Sequence, residues 1–161
     1  MAVLQDTVGA GIVTLLTATP FTTYIDAANY GYTFDSLKPR NALVRPMDAP
    51  PAAEFIYDDS ARVQLGYDVY FQLFKRDTPE AEVAGLQDAM RKKFGEGGIA
   101  LYAATTTPST PSDLKGGGFV VELGAPVLTV SGDIAAWQDT VDPDAPVLHW
   151  PLTVHAWQSY T

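Results

Sequence analysis

Residues 62–95 constrain the fold more than any other stretch, because a strand period there hands over to a helix period. Val63, Leu65, Tyr67, Val69, Phe71 and Leu73 alternate with Arg62, Gln64, Gly66, Asp68, Tyr70 and Gln72. Successive side chains of an extended chain point to opposite faces, so this alternation predicts one long, half-buried β-strand. Val83, Leu86, Met90 and Phe94 then recur at helical spacing with charged residues between them, which predicts an amphipathic helix. Its ends are marked as well. Asp77 or Thr78 can cap, Pro79 suits a first turn, and Glu80 and Glu82 face the positive helix end. Arg91, Lys92 and Lys93 meet the negative end, and Gly95 can close it in a left-handed conformation. A long strand followed by an amphipathic helix predicts an α+β fold, with Leu86 and its neighbours buried against a mainly antiparallel sheet.

The rest of the chain extends that core into a single α+β domain over residues 1–161, a length that can bury a core of its own. Leu4, Val8, Ile12, Leu15 and Leu16 predict an N-terminal helix over residues 2–18, which Pro20 ends. Gly9 and Gly11 each weaken it by roughly 1 kcal/mol relative to alanine, so it must lean on the sheet. Residues 24–52 read as an irregular extension with one or two short strands, the clearer at residues 42–45. The prolines at 46, 50 and 51 make a stiff connector. A strand at 54–57 and the turn chemistry of Asp58, Asp59 and Ser60 predict a hairpin with the long strand. Further strands are expected at 99–104, 119–123 and 127–131. The Thr-, Ser-, Pro- and Gly-rich run at 105–118 predicts a mobile loop. From Val147 the alternation returns, with Leu148, Trp150, Leu152, Val154 and Ala156 on one face and His149, Thr153, His155 and Trp157 on the other. Within this last strand Pro151 points to an edge or a bulge.

The pattern excludes several kinds of chemistry. The chain has no cysteine, hence no disulfide, thiolate metal site or cysteine nucleophile. His149 and His155 are six residues apart, about 20 Å along an extended strand, and read as surface or interface residues rather than one metal or acid–base site. Asp58 with Asp59, and Asp142 with Asp144, read as turn residues; the second pair lacks the glycine and glutamate of a calcium loop. Gly9-Ala-Gly11 lies inside a helical pattern, so it is not a dinucleotide fingerprint. The expectation is a non-catalytic protein with no metal and no cofactor. Met1 is followed by Asp6 rather than by a basic run, and the apolar stretch 9–18 is too short to span a bilayer, so no membrane association is expected.

Net charge is −9, which argues against holding nucleic acid by neutralising phosphates. All ten Lys and Arg residues lie between Lys38 and Lys115, and the chain beyond Lys115 carries Glu122, Asp133, Asp139, Asp142 and Asp144 but no base. Trp137, Trp150 and Trp157 crowd into the same C-terminal part with Tyr160. Trp150 is expected in the core. Exposed tryptophans anchor protein interfaces, so Trp137 and Trp157 point to contact with another subunit.

Taken in order, these elements resemble the tail terminator (tail completion) proteins of long-tailed bacteriophages. The resemblance rests on the N-terminal helix, on the long strand, helix and strand of residues 62–104, and on the closing strand of residues 147–158, with LHWPLTVHAW at 148–157. It is a likeness of element order and size, in a family without an invariant catalytic motif. It implies a virion protein of the tail or neck, made in the host cytoplasm. Such a protein forms a ring, typically a hexamer, that caps the tail tube and joins it to the neck while DNA passes without specific binding. An acidic wall would suit that passage by repelling phosphate. Candidate interface residues are then Trp137, Trp157 and Tyr160, Tyr30 and Tyr32 of the extension, and Asp113 and Lys115 of the loop. The alternatives are a tail tube or other neck subunit, and a small-molecule-binding α+β domain with its pocket between sheet and helix.

Overall fold

The computed structural model describes residues 4–34, 37–47, 52–56, 60–73, 80–94, 120–129 and 146–159. Its helices are α1 (Leu4–Leu16) and α2 (Glu80–Phe94), with a single 3-10 turn at Phe21–Thr23. Its strands are β1 (Ala27–Tyr30), β2 (Asn41–Pro46), β3 (Ala52–Ile56), β4 (Ser60–Gln72), β5 (Val120–Leu123), β6 (Val127–Thr129) and β7 (Val147–Ser159). They form one sheet in the order β1-β2-β4-β7-β5, with β3 also pairing β4 and β6 also pairing β7. Every pairing is antiparallel except that of β1 with β2. The fold is α+β, as the periodicities require.

The strand and the helix of the opening pattern are both present. β4 and β7 pair antiparallel from Ser60↔Ser159 to Gln72↔Val147, and they form the backbone of the sheet. The apolar set of β4 lies on one face with Leu148, Trp150, Leu152, Val154 and Ala156 of β7, and both helices cover that face. Leu86, Met90 and Phe94 of α2 are fully buried there, as are Val8, Ile12 and Leu16 of α1. Phe21 joins the two helices to the sheet: its ring stacks on Phe71 at 6.4 Å and meets Phe94 at 6.3 Å.

The 24–52 segment holds the two short strands its sequence predicts, with residues 42–45 inside the second. β2 pairs with β4 from Asn41↔Gln72 to Pro46↔Tyr67, and β1 adds alongside β2. Their burial comes from long-range pairing, which local composition does not record. The turn between them holds Arg40 in the left-handed region (φ 63), a conformation costing a side-chain-bearing residue roughly 1–3 kcal/mol. Contacts to Asp26 hold the turn: the Asp26 backbone N–H donates to the Arg40 carbonyl at 2.7 Å, and Arg40 Nε donates to Asp26 Oδ1 at 3.1 Å.

Pro151 lies in a strand with neighbours on both sides, so the edge reading is corrected. β5 pairs with residues 152–155 of β7 and β6 with residues 147–149, and Pro151 falls in the break between them. The Gly124 N–H donates to the Pro151 carbonyl at 2.8 Å, so that side of Pro151 faces the irregular step between β5 and β6. A residue without an N–H interrupts least where the neighbouring ladder is already broken. The expected strand at 99–104, the loop at 105–118, the cap at 77–79, Gly95, and the Asp58–Asp59 and Asp142–Asp144 pairs lie outside the described residues.

Candidate interaction surface

Among the described residues, three groups of polar or exposed side chains stand out beside the core. The first gathers where the N-terminal turn of α1 meets the end of β1. Tyr30 donates its hydroxyl to Asp6 Oδ1 at 2.8 Å, and the Tyr32 hydroxyl reaches the same oxygen at 3.2 Å. The two rings meet edge to face at 6.2 Å. Tyr67 donates from the sheet to the Gln5 carbonyl at 2.5 Å. Burial, followed for Tyr30 by the hydrogen bond to Asp6 and for Tyr67 by the charge of Asp6, holds both phenols well above their usual value of 10.0. Asp6 in the first turn also complements the positive end of the helix. The corner therefore docks α1, and it leaves the Tyr32 ring 62% exposed.

The second group lies on the sheet face away from the helices. His149 Nε2 and Asp68 Oδ1 are 2.6 Å apart, and a carboxylate can only accept, so Nε2 carries the proton in this arrangement. The imidazole stacks on Tyr70 at 4.6 Å, Phe34 meets Tyr70 edge to face at 5.1 Å, and the Arg45 guanidinium lies 5.2 Å from the Phe34 ring centre. His155 Nε2 lies 3.3 Å from Glu122 Oε2. His149 thus ties β7 to β4 by a hydrogen bond, while His155 lies beside Glu122 of β5. Both were expected at the surface or an interface: the His149 side chain is about a quarter exposed at 28%, whereas that of His155 is largely buried within the sheet at 10%. Cross-strand pairs of this kind stabilise a sheet by roughly 0.2–1 kcal/mol each.

The third group is apolar and exposed. Val120 on β5 and Val127 and Leu128 on β6 are 47%, 54% and 36% exposed, at the end of the sheet opposite β1.

The structure divides the sequence-derived interface residues. Tyr32 is exposed, whereas Tyr30 is half-buried and committed to Asp6. Trp157 lies in β7, paired in register with Arg62. Trp137, Tyr160, Asp113 and Lys115 lie outside the described residues. Trp150 is buried, as expected. Nothing in the sequence marks Asp6, Asp68 or Glu122 as a site residue, since a lone carboxylate carries no spacing signal until its partner strand is placed. Even spacing at Tyr30 and Tyr32 was the one local hint of the tyrosine corner. Among the described residues no group of three or more His, Asp or Glu side chains could hold a metal ion, and no helix is long and apolar enough to cross a membrane. No protein-family model matches the chain, and no curated protein matches it.

Proposed function

We propose that this chain is a structural subunit of a long-tailed bacteriophage, one that assembles into a ring capping the tail tube and joining it to the neck. The observation that carries the reading is the position of β7. The C-terminal strand lies antiparallel along β4, the strand that leads towards α2, and both helices pack on the same face of the sheet they share. The first helix, the long strand, the second helix and the closing strand follow the element order of the tail terminator resemblance, and their contact in one core supports it.

Two further observations favour a ring over an isolated domain. Tyr32 is exposed at the β1 end of the sheet, and Val120 and Val127 are exposed on the β5 and β6 strands at the other end, so one copy has unlike surfaces to offer its neighbours. Unlike surfaces in head-to-tail contact generate a ring when the rotation closes. The net charge of −9 suits a lumen that DNA must cross without being held.

Native mass spectrometry across a concentration series, with negative-stain electron microscopy of the same sample, tests the proposal. The expected outcome is a closed oligomer of defined copy number with a central opening. A chain that stays monomeric throughout and gains thermal stability from a small molecule would end this reading in favour of a ligand-binding α+β domain.

A further inference from the structure

We draw no further inference here: the strongest candidate, the exposed apolar side chains of Val120 and Val127 on the β5 and β6 strands beside β7, is an unpartnered surface, and nothing in the structure shows what covers it.

Discussion

Trp150 donates its indole N–H to the Gly124 carbonyl at 2.8 Å, across the irregular step that separates β5 from β6. Gly124 also donates its own N–H to the Pro151 carbonyl, so both backbone polar groups of this glycine are tied to consecutive residues of β7. A Cβ at position 124 would lie 3.0 Å from Pro151 Cβ, which explains why the step uses glycine. Trp150 is thus both a core side chain and the clamp on the step.

Trp150→Phe keeps an aromatic ring in the core but removes the donor and leaves a void. Gly124 is exposed, so water can take up the freed carbonyl and the loss is that of one ordinary hydrogen bond, about 0.5–1.5 kcal/mol. The expected result is a midpoint shift of that size in urea unfolding followed by circular dichroism, with the m-value unchanged. A shift below about 0.5 kcal/mol would mean that the indole hydrogen bond does not hold the step.

Gly9→Ala opposes two effects of known sign. In an open helix, alanine is better than glycine by about 1 kcal/mol. Here an added Cβ would lie 2.3 Å from Tyr30 Cε2, and the Tyr30 hydroxyl is held by Asp6. Overpacking of that kind costs about 1–3 kcal/mol, so the substitution should lower stability. In a Tyr30→Ala background the same change should become neutral or stabilising. Equal effects in both backgrounds, read from a double-mutant cycle of thermal or urea melts, would show that α1 does not dock on the Tyr30 ring.

Alkaline pH should unfold the protein through its tyrosines. In the unfolded chain tyrosine loses its proton near pH 10. The folded-state values of Tyr30 and Tyr67 are raised, chiefly by burial, so these two phenols stay protonated when their unfolded counterparts do not. Above about pH 10 the native state therefore binds more protons than the unfolded state, and stability falls as pH rises. The contribution is complete below that pH and is lost on the way up. Tyr67 is the deeper group, and Tyr67→Phe should make the alkaline limb shallower by up to about 1.4 kcal/mol per pH unit. Urea midpoints between pH 9 and 11 measure the slope. Parallel limbs for the two proteins would refute the assignment.

Tyr32 separates stability from assembly. Its ring is exposed and its contact with Asp6 is at the surface, so Tyr32→Ala should change the monomer's unfolding free energy by less than about 0.5 kcal/mol. In the ring proposed above, an exposed aromatic anchor of this type contributes more than 1 kcal/mol on truncation. Self-association measured by analytical ultracentrifugation should weaken by about fivefold or more. An unchanged oligomer would remove Tyr32 from the interface without touching the ring itself, whereas a wild-type monomer would remove the ring.

Some elements were legible because burial imprints itself locally. The alternation of Val63, Leu65, Tyr67, Val69 and Phe71 and the helical spacing of Leu86, Met90 and Phe94 each record one buried face, and all eight side chains are in the core. The same logic located β7 and the burial of Trp150. Burial on both faces leaves a weaker mark: in β2, Asn41, Ala42, Leu43 and Val44 are all buried, so no alternation sets the ends of the strand, which runs one residue beyond 42–45 on each side. By sequence Gly9 is a weakness of α1, because the Tyr30 ring that occupies the place of its missing side chain comes from a different element.

The sequence by itself determined the fold class, the long strand, the two helices and the apolar face they share, because periodicity is a property of consecutive residues. The tertiary structure alone decided the partners of the polar side chains. Asp68 and His149 are 81 residues apart in the chain and meet only because β4 and β7 pair in one register. Asp6 gathers Tyr30 and Tyr32 only because α1 lies over the β1–β2 end of the sheet. Strand register is set by the packing of the whole buried face, since a one-residue slip would turn every apolar side chain outward. A polar contact between distant strands follows from that collective choice and leaves no spacing of its own in the sequence.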